Sequence, residues 1–149
     1  MPVIDWIRTD LQYLCPDGTS SLYYDRIRFA YFDMKILERE GAEKDYTEEE
    51  LHKVSELDQV ITEKEKDDLI DTIIVKTQGF VNGNIKEGDK EPVVLFKRLL
   101  TLYKDINRDI LRENMCHFLS AIMPVCEEYG VNMCVHPDDP PFQVLGLLL

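Results

Sequence analysis

The residues best equipped for chemistry sit in one short run, His136-Pro137-Asp138-Asp139-Pro140-Pro141. A neutral imidazole beside two carboxylates suits a divalent metal ion or a proton transfer. The prolines remove backbone donors and push the residues before them into extended conformations, so the run can neither continue a strand nor start a helix. Val131 to Val135 come before it, are largely apolar and follow Gly130, which reads as a short strand after a helix end. His136 is therefore expected where a strand stops and a stiff acidic loop begins. In a parallel α/β protein that is the strand end at which ligands bind. A histidine at a strand end is more often structural than a ligand, but two carboxylates held between prolines are unusual for an ordinary turn. Cys134 lies two residues earlier and shares a strand face with His136. It is either a second ligand or, the preferred reading, a buried small apolar side chain. Asp138 and Asp139 can bind metal, orient His136 or contact a substrate, and the sequence leaves these roles open.

A second group lies near the start of the chain. Pro2–Trp6 reads as a short strand, with Val3 and Asp5 on one face and Ile4 and Trp6 on the other. An acidic residue and a Trp at the end of an apolar strand again mark a functional rim. Arg8 and Asp10 follow at once. Arg holds a carboxylate well through two parallel hydrogen bonds. Arg8 either does this for a substrate or pairs with Asp5 or Asp10 and ties the loop down.

The stretch from Cys134 to Phe142, running on to Leu145-Gly146-Leu147, closely resembles the mannonate dehydratase family. Two further segments agree in the right order. One is Met1-Pro2-Val3-Ile4-Asp5-Trp6-Ile7-Arg8-Thr9-Asp10-Leu11; the other is Leu102-Tyr103-Lys104-Asp105-Ile106, followed by Leu111-Arg112-Glu113-Asn114. The resemblance implies an α/β fold, part of a xylose isomerase-like (β/α)8 TIM barrel. Within it residues 1–149 form one partial domain, mostly helical, with two recognisable parallel strands and a helical elaboration at about 25–105. Complete barrels take about 250 residues, so the chain is expected to be an interior, truncated piece of the family pattern.

The activity implied is dehydration of D-mannonate to 2-keto-3-deoxy-D-gluconate in hexuronate (glucuronate) breakdown, with Mn²⁺ or Fe²⁺ bound. Carried over from the family, the metal ligand is His136; the residues read above as candidates for substrate binding are Trp6, Arg8, Asp10, Asp138 and Asp139. The remaining ligands and an acid–base Tyr belong to segments outside this chain, so the isolated chain is expected to be inactive. A sugar-acid partner, homo-oligomerisation and a cytoplasmic location complete the expectation. Two other readings stay open: another metal-dependent sugar isomerase or epimerase on the same barrel, and a non-catalytic remnant of a truncated gene.

Composition narrows the alternatives. Lys plus Arg number 17 against 29 Asp plus Glu, a net charge of −12. No basic stripe is available to neutralise phosphates, which argues against a nucleic-acid partner. Much of the acidic excess lies between Glu38 and Asp71, as expected of a solvated helix face. Cys15, Cys116, Cys126 and Cys134 show no zinc-type spacing, and reduced thiols are expected. The start of the chain has no secretory-signal pattern, and no run approaches the roughly 18 apolar residues of a membrane span.

The intervening elements must position the two groups. Cys15-Pro16-Asp17-Gly18-Thr19 is a turn, with Leu22–Tyr24 extended after it. A helix follows from Asp25, with Ile27, Ala30, Tyr31, Met34 and Leu37 at helical spacing, and Gly41 is expected to stop it. Its aromatic residues Phe29, Tyr31 and Phe32 read as core or subunit contact rather than a cofactor site. Thr47…Glu50 and Thr62…Glu65 are capping boxes for two more helices, the first to about Val60 and the second through Ile74. Gly79–Asp89 is a loop, and Pro92 starts another helix. A long helix spans about Arg108 to Tyr129, with a kink expected at Pro124. His52 and His117 read as surface residues. Pro2–Trp6 and Val131–Val135 are expected to be neighbouring parallel strands, with Trp6 and His136 at the same end.

Overall fold

The computed structural model describes residues 6–78, 91–134 and 142–147. Strand β1 (Asp10–Leu14) pairs antiparallel with β2 (Ser20–Tyr23), and the register shifts between Asp10 and Tyr13. The turn between them is the expected one. Gly18 takes a left-handed φ of 84°, its N–H reaches the Cys15 carbonyl at 2.9 Å, and the Asp17 carboxylate accepts from the Thr19 N–H and hydroxyl. Tyr13 and Tyr23 stack across the ladder, ring centroids 4.2 Å apart.

Helix α1 (Arg26–Tyr31) starts at Asp25, whose carboxylate accepts from the N–H groups of Ile27 and Arg28. It widens into a π-type turn, Phe32–Ile36. The helix therefore ends before Gly41, with Glu38 already left-handed at φ 50°. The cause is local: Arg39 returns its N–H to the Asp33 carbonyl and its guanidinium to the Asp33 carboxylate, and both pull the turn back. Gly41 instead opens a short 3-10 turn, Ala42–Asp45.

Both capping boxes are present. Thr47 and Glu50 open α2 (Glu48–Val60), and Thr62 and Glu65 open α3 (Glu63–Ile70), which passes into a second π-type turn at Asp71–Lys76. Arg26–Glu50 at 2.7 Å ties α1 to α2, and Arg28–Glu65 at 3.0 Å ties it to α3. Helix α4 (Glu91–Thr101) adds Phe96 to the core, and α5 (Arg108–Tyr129) comes after it. The core gathers Ile7, Phe29, Phe32, Leu37, Val54, Leu69, Ile73, Ile74, Phe96, Val144 and Leu145. Of the two readings of the aromatic stripe, core and subunit contact, Phe29, Tyr31 and Phe32 take the first.

The parallel-strand expectation is corrected. Among the described residues the ladder is the antiparallel β1–β2 hairpin, and residues 131–134 form no strand. Gly130 closes α5 in a left-handed conformation (φ 64°), with the Val131 N–H on the Cys126 carbonyl at 2.8 Å. Beyond Gly130 the chain is exposed, Val131 at 53% and Met133 at 46%. A strand is held by its neighbours, and no described strand runs beside this one. Residues 2–5 and 135, which make up the rest of the expected pair, lie outside the described residues. Pro124 lies within α5 with no break in the helix.

Candidate functional site

The segment running from residue 6 into β1 is threaded by alternate residues. Ile7 is fully buried in the core, and Thr9 accepts from the Asp25 N–H at 2.7 Å while donating to the Tyr23 carbonyl at 3.2 Å. The Trp6 carbonyl accepts from Nε2 of the buried Gln78 at 2.8 Å. In an extended chain the residues between these inward ones face the other way. Trp6, Arg8 and Asp10 thus share the outward side.

The Arg8 guanidinium lies 5.6 Å from the centroid of the Trp6 ring and donates to the Ile7 carbonyl at 2.6 Å. Asp10 is exposed and accepts from the Gln12 N–H at 2.8 Å. Two of the three sequence candidates are therefore in contact. Asp10 continues along the same side, at the edge of a cleft of about 580 Å³ between the hairpin and helices α1 and α3. Two cations on its wall, Arg28 and Lys76, already face Glu65 and Asp71. The Thr62 backbone N–H, and after it the Arg28 guanidinium, hold the Glu65 carboxyl down at about 2. These acids and cations are thus committed to capping and ion pairing.

His136, Asp138 and Asp139 lie outside the described residues. The chain is described again immediately after them. Phe142 packs edge-on against Tyr24 at 5.6 Å and lies under the Arg26 guanidinium at 5.9 Å. Val144 and Leu145 enter the core, and the turn is closed by a bridge from Val144 to Leu147. Leu145 and Gly146 are both left-handed, at φ 55° and 69°. A Cβ on Gly146 would stand 3.0 Å from Nη1 of Arg39, so a side chain there would press on that guanidinium. On the other flank the expectation for Cys134 is corrected. It is exposed rather than a buried apolar residue, because no packed strand carries it inward.

The anchor under Gly146 was not legible in the sequence. Asp33 is fully buried and receives Nε and Nη2 of Arg39 at 2.8 and 2.7 Å and the Tyr46 hydroxyl at 2.9 Å. Arg39 also reaches Asp45 at 2.6 Å. The Asp33 carboxylate raises the Arg39 pKa above its ordinary value, while burial and then the Asp33 charge raise that of Tyr46. Burial likewise pushes the Tyr24 phenol up to about 12. The only sequence signal was an acidic residue inside an aromatic stripe.

Among the described residues no three or more His, Cys, Asp or Glu are grouped to hold a metal ion. His52 is exposed and 3.6 Å from Glu56, and His117 is exposed, both as expected of surface residues. All four cysteines are unpaired. No helix among the described residues is long and apolar enough to cross a membrane.

Comparison with known proteins adds what this geometry lacks. The chain is 40% identical over 147 residues to a mannonate dehydratase of Chromohalobacter salexigens and 39% identical over 147 residues to one of Marinomonas sp. (strain MWYL1). Each match takes in 99% of this chain and 36% of the relative, so the chain spans about a third of the length of these curated relatives. The family model described as D-mannonate dehydratase (UxuA) matches residues 1–148, which include the Trp6–Arg8–Asp10 side, the buried Asp33–Arg39 anchor and the His136 motif. With the match running through all three, the chain belongs to the D-mannonate dehydratase family.

Proposed function

We propose that this chain carries part of the machinery of a mannonate dehydratase, a hydro-lyase that converts D-mannonate to 2-keto-3-deoxy-D-gluconate in hexuronate breakdown, in the cytoplasm. The observation that carries the reading is the family match through residues 1–148, with 40% identity to a curated relative. The reaction removes the proton on the carbon beside the carboxylate and expels the neighbouring hydroxyl as water; the resulting enol becomes the keto acid. That proton is only weakly acidic, and a bound Mn²⁺ or Fe²⁺ would hold substrate oxygens and neutralise the developing negative charge.

The described residues hold no donor set that fits such an ion, and the expected ligand His136 lies outside them. Their part in the proposal is binding. Arg8, held beside the Trp6 ring, would turn its guanidinium to the sugar-acid carboxylate, and the Trp6 ring would offer an apolar face to the carbon chain. Asp10, on the same outward side, supplies an acceptor for a hydroxyl.

The test uses the Chromohalobacter enzyme carrying this chain in place of the segment it matches. His136→Ala there is expected to abolish turnover of D-mannonate, while Cys134→Ala, an exposed thiol off the expected ligand set, leaves most of it. Full activity in the His136→Ala enzyme would reject the assignment. The 149-residue chain alone is expected to show no turnover, because the acid–base Tyr that the family reading calls for is outside it.

A further inference from the structure

Gln78 is fully buried, although a side-chain amide loses its bonds to water there and must find others. Its backbone N–H rests on the Ile74 carbonyl at 3.2 Å, so the side chain leaves the π-type turn Asp71–Lys76 from a fixed base. The tip is fixed as well. Nε2 donates to the Ile73 carbonyl and to the Thr77 hydroxyl, both at 3.1 Å, and that hydroxyl in turn donates to the Ile73 carbonyl at 2.7 Å. From this seat Nε2 also donates to the Trp6 carbonyl at 2.8 Å, across 72 positions of sequence. Carbonyl oxygens only accept, so the NH2 end of the amide must face Ile73 and Trp6.

The peptide that Gln78 holds is the one joining Trp6 to Ile7. A peptide is planar, so fixing its oxygen fixes the direction in which the backbone leaves both residues. Further along, the same segment is held by the buried Ile7 side chain and by Thr9, which bonds to Asp25 and Tyr23. Those contacts hold the end toward the hairpin; Gln78, just past the turn that follows α3, holds the end at Trp6. The Trp6 ring and the Arg8 guanidinium, 5.6 Å apart, thus stand between two anchors.

We propose that Gln78 is a positioning residue for the sugar-acid site: it sets the Trp6 ring against Arg8 and so shapes the place where the substrate carboxylate binds. The proposal rests on the reading of Trp6 and Arg8 as substrate-binding residues. An apolar side chain of similar size would fill the same space, but it would take this donor from the Trp6 carbonyl and loosen the peptide.

Trp6 is the one tryptophan of the chain, so its fluorescence reports on this position alone. In the 149-residue chain, Gln78→Met is expected to move the emission to longer wavelength and to ease quenching by acrylamide. The same change is then made in the Chromohalobacter enzyme carrying this chain in place of its matched segment. There it is expected to raise KM for D-mannonate about three- to tenfold, as the loss of one hydrogen bond would, with kcat within about twofold. Val54→Ala, a core change in α2, controls for stability alone: it should lower the melting temperature and leave the emission and KM as they are. Should Gln78→Met not fold, Thr77→Val, which removes the hydroxyl that seats the amide, is expected to move both readouts the same way. Unchanged emission in the folded variant overturns the proposal, as does a KM rise that Val54→Ala reproduces. Shifted emission with an unchanged KM would leave Trp6 seated by Gln78 but reject Trp6 and Arg8 as substrate-binding residues, and with them the functional half of the proposal. An unsubstituted hybrid that does not turn over D-mannonate would reject the functional reading, and the emission alone would then decide for or against Gln78.

Discussion

Two helices of this chain teach opposite lessons. Helix α1 has six residues and three of them, Phe29, Ala30 and Tyr31, are buried; α5 has 22 residues and none is. By periodicity α5 is the more convincing helix, with a longer apolar stripe and an Asn107 cap on the Ile110 N–H. Burial follows neighbours rather than pattern. Helix α1 is enclosed by ion pairs to α2 and α3 and by the Tyr31–Asp58 hydrogen bond at 3.1 Å, whereas no described element buries a residue of α5. The stability of the isolated chain should therefore reside in the first region and be indifferent to the second.

The sharpest way to break that asymmetry is Arg39→Met. It leaves the fully buried Asp33 carboxylate without its bidentate partner, a class of change that costs about 3–5 kcal/mol. Urea unfolding of the isolated chain should show a loss of that order. Little change would mean that Asp33 finds water or another donor.

A smaller effect is expected at the caps. Thr62→Ala removes the acceptor for the Glu65 N–H at the start of α3 and should cost about 1 kcal/mol. The same residue pair gives a pH signature. Glu65 has its folded pKa lowered to about 2 from an ordinary 4.5, so its contribution is fully present above 4.5 and is lost as the pH falls from there toward 2. In Glu65→Gln the acid limb of the stability–pH curve should flatten in that window. An unchanged slope would show that Glu65 is equally easy to protonate in the unfolded chain.

The least effect is expected from Phe118→Ala. In the isolated chain this exposed α5 side chain should shift stability by no more than about 0.5 kcal/mol. A loss of several kcal/mol would mean that α5 is packed after all.

What could be seen in the sequence was local. Both capping boxes, the Asp17-Gly18 turn and the aromatic core of α1 depend on residues within a few positions of one another, and all are present. The parallel pairing of residues 2–6 with 131–135 depends on partners far along the chain, and residues 131–134 carry no strand. Strand β1 was missed although Asp-Leu-Gln-Tyr alternates polar with apolar: the run is only five residues long, and its pairing with β2 is made by the hairpin turn that follows. Asp33 was hidden because its partners are brought back by a π-type turn and by a Tyr that opens the approach to α2. Of the candidate site, Trp6, Arg8 and Asp10 were picked out by residue type, with Arg8 and Asp10 expected in a loop after the strand; that they share one side came from the structure. The close approach of Gly146 to the Arg39 guanidinium, just after the His136 motif, was not legible.

Among the described residues no three or more His, Cys, Asp or Glu are grouped to hold a metal ion, and the part proposed for Trp6, Arg8 and Asp10 is substrate binding. Thermal unfolding of the 149-residue chain with and without Mn²⁺, alongside an assay on D-mannonate, tests this most directly. An unchanged midpoint and no keto acid are expected. An ion at about 100 times its dissociation constant would add roughly 2.7 kcal/mol to the folded state. An upward shift of that size, together with turnover by the chain alone, would contradict the proposal that His136 needs further ligands and an acid–base Tyr from outside this chain.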